Sequence, residues 1–303
     1  MISTVFLGTP AASIPSLQAL SSLTDLRLVV TRPDRPRGRS GRAQPPPVKE
    51  AAIEWGLAVV QPSSHRELQA LLSEVAPFQA GVVVAFGMIL RAETLEIPTR
   101  GFVNVHFSLL PRWRGAAPVE RAILAGDERT GVTLMVMEEG LDTGPVVASE
   151  ATVIEPDETA GELTERLADL GAGLLSRHLV DYADGRRIPL PQPADGASYA
   201  NRIKSDEAVV SATWPSIKLL RAVRAYAPRP GARFGDGAFK VWRAAPCDLS
   251  RRAAGDLFFD GRRLFLGTAD RPIELVEVQA PGGKRMSGAA WARGREEDLG
   301  RLT

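Results

Sequence analysis

Short apolar runs and amphipathic helical patterns alternate along the first half of the chain. An apolar run at residues 2–7 is followed by a helical pattern with leucines at positions 17, 20 and 23, and then by an apolar run at residues 26–31. A strand, a helix and a strand at this spacing predict a βαβ unit, in which the two strands are parallel.

The same alternation continues to about residue 185. Residues 81–85 form a valine-rich run, which is typical of a strand buried on both faces. Further strands are predicted at residues 57–60, 101–106, 131–137 and 146–154. Further helices are predicted at residues 48–55, 67–75, 118–125 and 159–182. This order of elements indicates an α/β domain built on a parallel sheet.

The pattern changes after a proline-rich connector. We predict a first domain at residues 1–185, a linker at 186–204 and a second domain at 205–303. A helical pattern at residues 217–226 opens the second domain. Short apolar runs between Gly, Pro and Asp turns follow at residues 238–242, 255–259, 263–266 and 273–278. Such short strands with regular turns predict a small β-barrel.

Composition places the chain among ordinary globular proteins. Of its 303 residues, 44% are hydrophobic and 24% are charged. No apolar stretch approaches the length that spans a bilayer, and the first residues lack the basic flank and long apolar region of a signal peptide. The single cysteine, Cys247, excludes an intrachain disulfide. We therefore expect a cytoplasmic protein with no membrane association and no obligate protein partner.

Charge is distributed unevenly. The net charge of +1 divides into +5 for residues 1–49, −9 for residues 50–204 and +5 for residues 205–303. Two basic ends around an acidic middle suggest a polyanionic partner that touches both ends. An excess of surface arginine without a partner explains the same numbers, so charge alone leaves both interpretations open.

A basic, proline-rich stretch at residues 32–47 accounts for much of the first positive region. Its prolines and glycines predict an exposed loop that forms neither helix nor strand. Four arginines on such a loop suit the binding of nucleic-acid phosphates, and a long loop in a compact domain is usually functional. A solvated insertion is the alternative. The four are Arg35, Arg37, Arg39 and Arg42.

The turn after the first strand excludes one common cofactor. Gly8 is followed by Thr9, Pro10 and Ala11. A dinucleotide site would need the pattern Gly-x-Gly-x-x-Gly at this place. We therefore interpret Gly8 as a tight turn and expect no nicotinamide or flavin there.

The candidate chemistry lies in the predicted strand at residues 101–106. Asn104 and His106 are two positions apart, so an amide and an imidazole project from the same face of the strand. A loop that contains two arginines and a tryptophan follows. Polar groups at the carboxyl end of a strand in an open α/β sheet are where such folds bind ligands.

Histidine is the usual proton carrier at neutral pH, and the chain has three. We expect His65 to be exposed and His178 to be structural, which leaves His106. Asp142, on a glycine-flanked turn between two predicted strands, is the candidate carboxylate that orients it.

An amide, an imidazole and a carboxylate together suit acyl-type transfer through a tetrahedral intermediate, in which the amide binds the developing oxyanion. No serine lies in a nucleophile turn, and Cys247 lies in the other domain. No cluster has metal-ligand spacing, so we expect no metal. Direct transfer to an amine supplied by the substrate is the natural interpretation.

These residues resemble the folate-dependent formyltransferases. The central motif is Asn104-Val-His106-x-Ser108-Leu109-Leu110-Pro111, followed by the loop Leu141-Asp142-Thr143-Gly144. The resemblance extends over nearly the whole chain. It is strongest to family members that act on methionyl initiator tRNA, in the segments Phe6–Pro10, Arg32–Pro36 with its basic loop, Leu109–Pro118 and Lys240–Trp242.

The resemblance implies a fold and a reaction. The fold is a doubly wound, mostly parallel sheet, a formyltransferase-like variant of the Rossmann fold, followed by an OB-like β-barrel. The first domain would bind the co-substrate 10-formyltetrahydrofolate. The formyl group would pass to the α-amine of methionyl initiator tRNA and give formylmethionyl-tRNA for translation initiation, without a metal.

The resemblance also implies roles for particular residues. Asn104, His106 and Asp142 would be the catalytic trio. The folate would be bordered by Ser108, Leu109, Leu110 and Pro111, with Phe86, Gly87, Met88 and Ile89 beside the pterin. Arg35, Arg37, Arg39 and Arg42 would enter the acceptor end of the tRNA, with Arg39 as the best candidate for a critical contact.

One departure from the family is Phe107, where many relatives carry glycine. Strand alternation directs Phe107 to the face opposite His106. We therefore expect an adjustment of packing at this position and no loss of activity.

Two other interpretations stay open at this point. The same trio could serve an enzyme whose acceptor is an amino sugar or another small amine, although such an acceptor needs neither the basic loop nor the basic C-terminal domain. A non-catalytic RNA-binding protein would explain the basic ends, but it would leave the trio without a purpose.

Overall fold

The computed structural model describes residues 1–36, 41–235, 239–295 and 299–302. The chain forms two compact units. The first comprises residues 1–115, 130–152 and 164–199, and the second comprises residues 116–129, 153–163 and 200–303. The domain boundaries expected after residues 185 and 204 stay a prediction.

Strands and helices alternate through the described part of the chain. The strands are β1 (Ser3–Gly8), β2 (Asp25–Val30), β3 (Arg35–Pro36), β4 (Ala43–Gln44), β5 (Val59–Val60), β6 (Ala80–Val84), β7 (Phe102–His106), β8 (Arg114–Gly115), β9 (Arg129–Val136), β10 (Val146–Val153), β11 (Tyr199–Ala200), β12 (Ala232–Phe234), β13 (Phe239–Pro246), β14 (Leu257–Phe259), β15 (Leu264–Leu266), β16 (Ile273–Gln279) and β17 (Met286–Ser287). The helices are α1 (Ile14–Leu23), α2 (Pro47–Glu54), α3 (His65–Glu74), α4 (Ala92–Leu95), α5 (Pro118–Ala125), α6 (Ala160–Ala183), α7 (Ser216–Tyr226) and α8 (Gly288–Arg293).

A seven-stranded sheet in the order β10-β9-β7-β6-β1-β2-β5 forms the centre of the first unit. β1 is parallel to β2 and β6, β6 is parallel to β7, and β7 is antiparallel to β9. The predicted mostly parallel α/β sheet is therefore confirmed. Because β1 lies between β2 and β6, β2 and β5 extend the sheet on one side of β1, and β6, β7, β9 and β10 extend it on the other. Ligands in such sheets bind beyond the carboxyl ends of the strands at this crossover.

A dense core fixes the strands that lead to the crossover. All five residues of β6 are buried. Val5 and Leu7 of β1, Leu68 and Leu72 of α3 and Phe102 of β7 pack together with less than 1% of each side chain exposed. Interiors packed in this way resist displacement, so the carboxyl ends of β6 and β7 are held in place.

The face of β7 opposite its polar side chains packs against α6. Gly171 of α6 comes so close that a Cβ there would lie 2.7 Å from Cγ1 of Val105 and 3.8 Å from Cε1 of Phe107. Phe107 therefore shares the helix-facing side with Val105, as strand alternation predicts.

The second unit contains a six-stranded sheet. Its order is β12-β13-β16-β15-β14, with β17 paired to β16, and these pairs are antiparallel. An α/β domain followed by a small antiparallel β domain is the predicted fold class, which is thus confirmed. The Asp270 side chain satisfies the first backbone N–H of α7, because the Ser216 N–H donates to its Oδ1 at 2.8 Å.

The basic stretch at residues 32–47 differs from its prediction in one detail. Arg35 pairs with Gln44 and Pro36 with Ala43, so β3 and β4 form a short antiparallel ladder. The expectation of a loop without strands is wrong at these four residues. Proline fixes φ at a value that extended backbone permits, so a proline-rich segment can still contribute a two-residue strand.

Candidate active site

The carboxyl end of β7 presents two polar side chains. Asn104 is half-buried, and only 5% of His106 is exposed. Val103 and Val105 are both buried in the core. The alternation of a strand therefore places an amide and a nearly buried imidazole side by side, as the sequence predicts.

The loop between β9 and β10 brings a carboxylate to these two groups. Asp142 Oδ2 lies 3.7 Å from His106 Nδ1, and Asn104 Nδ2 donates to Asp142 Oδ1 at 3.4 Å. Only 14% of the Asp142 side chain is exposed. The three residues that the sequence singles out are therefore brought together within one compact unit.

The same loop has little room to rearrange. A Cβ at Gly144 would lie 1.9 Å from the backbone oxygen of Val136, which no side chain tolerates. The Val136 N–H donates to the Pro145 carbonyl at 2.9 Å. Asp142 itself has a φ of +51°, in the left-handed region that residues other than glycine rarely adopt. The position of the carboxylate is therefore set by a tight and locally strained backbone.

A turn after β7 closes the other side of the trio. His106 Nε2 lies 2.9 Å from the Trp113 carbonyl oxygen. A carbonyl has no proton to give, so Nε2 carries the hydrogen in this contact. The Gly115 backbone N–H donates to Asp142 Oδ2 at 2.7 Å. Each ring nitrogen of His106 thus faces an oxygen acceptor.

The predicted folate-bordering segment forms this turn. Ser108 is buried, and its hydroxyl donates to the Arg112 carbonyl at 2.6 Å. Thr133 Oγ1 donates to the Ser108 carbonyl at 2.7 Å and accepts from the Leu110 N–H at 3.1 Å. Leu109, Leu110 and Pro111 are half-buried. The polar groups of Ser108 therefore stabilise the turn itself, and the apolar side chains beside it remain partly accessible.

The predicted pterin segment follows β6. Phe86 is 2% exposed and belongs to the hydrophobic core, against which Met88 also packs. Thr9 Oγ1 donates to the Phe86 carbonyl at 2.8 Å, which ties this segment to the turn after β1. Ile89, in contrast, is 79% exposed. Of these side chains, Ile89 offers the most accessible apolar surface, while Met88 is half-buried.

The basic loop is fixed at its base. The Asp34 carboxylate accepts hydrogen bonds from Lys49 Nζ at 2.9 Å and from Gln61 Nε2 at 2.7 Å. These two bonds hold the pKa of Asp34 below its usual value. Arg35 and Arg42 are exposed. Arg37 and Arg39 lie outside the described residues.

The sequence did not indicate a role for two residues of the connector, Gln192 and Ser198. Gln192 contacts both Arg114 and the loop that carries Asp142. Ser198 Oγ accepts a hydrogen bond from the Trp113 N–H at 3.0 Å. The segment has no hydrophobic period, and nothing in its composition beyond two polar side chains could have indicated these contacts.

The other two histidines lie apart from this arrangement. Both His65, the first residue of α3, and His178, in α6, are half-buried, so the expectation of an exposed His65 is only partly right. Burial and the charge of Arg187 lower the pKa of His178. In the described ranges, no group of three or more His, Cys, Asp or Glu residues could hold a metal ion. None of the helices in these ranges is long and apolar enough to cross a membrane.

The sequence that builds this trio and the antiparallel domain after it matches the models of a known protein family. The chain belongs to the formyl transferase family, whose model matches residues 8–179. The model of the formyl transferase C-terminal domain matches residues 202–296. The family resemblance drawn from the motifs is therefore confirmed.

Similar proteins extend the match to nearly the whole chain. A methionyl-tRNA formyltransferase of Halorhodospira halophila is 45% identical over 301 residues, which cover 96% of each chain. A methionyl-tRNA formyltransferase of Streptomyces coelicolor is 43% identical over 297 residues, again 96% of each chain.

Among solved structures, an N-formyltransferase from Helicobacter canadensis in complex with folinic acid and dTDP-3-aminofucose has the same fold. Its TM-score is 0.70 at 17% identity, and the match covers 91% of this chain and 99% of that one.

Proposed function

We propose that this chain transfers the formyl group of 10-formyltetrahydrofolate to the α-amine of methionyl initiator tRNA. The products are formylmethionyl-tRNA and tetrahydrofolate. The observation that carries the proposal is the trio itself, in which Asn104 Nδ2 and His106 Nδ1 lie 3.4 and 3.7 Å from the Asp142 carboxylate.

The choice of acceptor is supported by the relatives and by charge. The methionyl-tRNA formyltransferases match both units of the chain at 43–45% identity. Residues 1–49 and 205–303 each carry a net charge of +5, and a polyanionic acceptor explains two basic regions. A small amine needs neither of them.

Asn104 and His106 stabilise the negative charge of the reaction. As the methionyl amine attacks the formyl carbon, its oxygen becomes an oxyanion in a tetrahedral intermediate. The Asn104 amide donates to this oxygen, and protonated His106 supports the same charge. A single donor aimed at an oxyanion contributes roughly 3–4 kcal/mol in a known acyl-transfer case.

Asp142 completes the transfer of protons. Its carboxylate lies on the Nδ1 side of His106 and is held there by the Gly115 N–H. It supports the imidazolium charge and helps to remove the proton from the attacking amine. The C–N10 bond then breaks, and N10 of the folate gains a proton. No nucleophile of the protein forms a bond in this scheme.

The residues around the trio suit a flat, partly apolar co-substrate. Ile89 is 79% exposed, and Leu109, Leu110 and Pro111 are half-buried. Apolar side chains next to a few converging polar groups are typical of small-molecule sites. 10-Formyltetrahydrofolate supplies the activated formyl group when bound, and these side chains would border its ring system.

The basic loop is proposed to contact the acceptor end of the tRNA. Arg35 and Arg42 are exposed on a loop whose base is fixed through Asp34. Arg37 and Arg39 stay predicted contacts. Because the acceptor is an initiator tRNA, the proposed reaction takes place in the cytoplasm.

The acceptor is tested by supplying 10-formyltetrahydrofolate with methionyl initiator tRNA, methionyl elongator tRNA and nucleotide-linked amino sugars. We expect rapid formylation of the initiator tRNA alone. The His106→Asn protein, purified in the same way, controls for contaminating activity. Formylation of an amino sugar in place of the tRNA would contradict the acceptor, and tRNA binding without any formyl transfer would contradict the reaction.

A further inference from the structure

The side-chain amide of Gln192 makes four contacts. Nε2 donates to the carbonyl oxygens of Asp142 and Gly144 at 2.8 and 2.9 Å. Oε1 accepts from Nε and Nη2 of Arg114 at 3.1 and 2.7 Å. A primary amide has two N–H donors and two acceptor lone pairs. Every hydrogen-bonding group of Gln192 is therefore used.

The chemistry of these partners fixes the orientation of the amide. Backbone carbonyls only accept hydrogen bonds, and the guanidinium of Arg114 only donates them. Exchanging the nitrogen and oxygen of Gln192 would break all four contacts. A residue without both kinds of group cannot replace it.

Two of the contacts hold the backbone around Asp142. This residue has a φ of +51°, a conformation that needs support from its surroundings. Gln192 binds its carbonyl oxygen, while the Gly115 N–H binds its carboxylate at 2.7 Å. The main chain and the side chain of Asp142 are therefore held from two directions.

The other two contacts join Gln192 to the turn on the far side of the trio. Arg114 lies between Trp113, whose carbonyl contacts His106 Nε2, and Gly115. One side chain thus connects the loop that carries Asp142 with the turn that contacts His106.

We propose that Gln192 is a positioning residue for formyl transfer, which holds Asp142 against His106 by fastening the loop at residues 138–145 to the turn at residues 112–115. This inference rests on the proposed function, because it takes Asp142 to be the catalytic carboxylate. Gln192 acts only through the placement of Asp142.

The fold does not depend on Gln192 to keep the connector attached. Leu190 and Val146 exchange backbone hydrogen bonds at 2.7 and 2.9 Å. Ser198 accepts from the Trp113 N–H, and the Arg114 N–H donates to the Ser198 carbonyl at 2.8 Å. These bonds remain when the Gln192 side chain is changed, so its effect on the reaction can be measured in a folded protein.

The decisive variant is Gln192→Glu. Glutamate has the same length and still accepts from Arg114, but it has no N–H for the carbonyls of Asp142 and Gly144. A small misplacement of a catalytic group costs up to about 100-fold. We expect kcat to fall about 10- to 100-fold, while KM for 10-formyltetrahydrofolate and for methionyl initiator tRNA changes less than about twofold.

A double-mutant cycle separates positioning from general damage. If Gln192 acts through Asp142, then Gln192→Glu lowers kcat less than about threefold in the Asp142→Asn background, because the group that it positions is already disabled. An equal loss in both backgrounds would overturn the inference. Arg114→Met removes the anchor of Gln192 by another route, and we expect kcat to fall with little change in KM.

Gln79→Ala is the matched control. The Gln79 side chain also binds the backbone, because it accepts a hydrogen bond from the Ser3 N–H at 2.8 Å. Gln79 precedes β6, at the amino end of the sheet. The kcat of Gln79→Ala should therefore equal that of the wild type.

The outcomes also distinguish this inference from the proposed function. An unchanged kcat in Gln192→Glu, together with a strong loss in Asp142→Asn, would overturn the inference and leave the proposed function standing. A wild-type kcat in Asp142→Asn would overturn the role of Asp142 in the proposed function, and the inference with it.

Discussion

His106 Nε2 lies 2.9 Å from the backbone carbonyl oxygen of Trp113. The carbonyl requires a hydrogen on Nε2, so the contact determines which nitrogen of the neutral ring is protonated. Nδ1 then faces Asp142 at 3.7 Å. Trp113 has a φ of +64°, and its N–H is bound by Ser198. A backbone carbonyl therefore orients the Nε2 side of the proton carrier, and the Asp142 carboxylate faces its Nδ1 side.

The first prediction concerns Asn104. Its amide is the proposed donor to the oxyanion, so Asn104→Ala should lower kcat about 100- to 1,000-fold with little change in either KM. Steady-state kinetics with methionyl initiator tRNA measure this effect. The other asparagine of the chain, Asn201, is exposed, and Asn201→Ala is the control with an unchanged rate. A wild-type kcat in Asn104→Ala would remove this residue from the scheme.

The second prediction concerns Gly144. A Cβ at this position would lie 1.9 Å from the Val136 carbonyl oxygen, so Gly144→Ala must displace the loop that carries Asp142. We expect a loss of about 1–3 kcal/mol in the free energy of unfolding and a fall in kcat of up to about 100-fold.

Gly173→Ala is the matched control for this change. Gly173 lies in α6, and a Cβ there would meet only the end of the Arg177 side chain, at 3.4 Å. Alanine in a helix interior should raise stability by about 0.5–1 kcal/mol and leave kcat unchanged. Denaturant unfolding measures both variants, and equal effects would contradict the account of the loop.

The third prediction concerns acid stability. A hydrogen bond from the Ser216 N–H, together with bonds from Arg271 and Thr268, holds the pKa of Asp270 far below its usual value of 3.8. A carboxylate with a depressed pKa stabilises the folded state above the unfolded value, and this contribution is lost as the pH falls below about 4. Asp270→Asn keeps an acceptor oxygen but loses the carboxylate charge, so it should lower the free energy of unfolding at pH 7.

Urea unfolding of the wild type and Asp270→Asn at pH 7, 5, 4 and 3 tests this sign. The difference between the two proteins should be constant from pH 7 to 5 and should shrink toward pH 3. A difference that grows as the pH falls would contradict the assignment.

The fourth prediction concerns the basic loop. Arg42 is exposed, so Arg42→Ala should raise KM for the tRNA without a change in KM for 10-formyltetrahydrofolate. It should also reduce the slope of log K against log salt by about 1, the expected loss for one phosphate contact. An unchanged salt slope would show that this arginine does not contact phosphate. Arg66→Ala, at an exposed position of α3 outside both basic regions, tests whether any lost surface charge has the same effect.

Much of the fold follows from the hydrophobic pattern. Helix α5 occupies residues 118–125, as predicted, because its apolar period is clear. β6 is buried throughout, as its valine run indicates. The pattern was less reliable where elements are short, and β5 covers only Val59–Val60 of the predicted strand at residues 57–60. A strand of two residues is too short to show an apolar period, so the sequence cannot define where it begins and ends.

Only part of the candidate site can be predicted from the sequence. Strand alternation is local, so the shared face of Asn104 and His106 could be predicted. The contact with Asp142 joins residues 36 positions apart in the sequence, and its prediction depended on residue chemistry and family resemblance. Gln192 and Ser198 could not be predicted, because their contacts depend on the path of a proline-rich segment that has no period.

The central claim is that His106, oriented by Trp113 and Asp142, carries formyl transfer. The most direct measurement is the single-turnover rate of His106→Asn with saturating 10-formyltetrahydrofolate and methionyl initiator tRNA, compared with the wild type under conditions where thermal unfolding shows both to be folded. The account predicts a rate lower by about 100- to 10,000-fold. A rate equal to that of the wild type would contradict it.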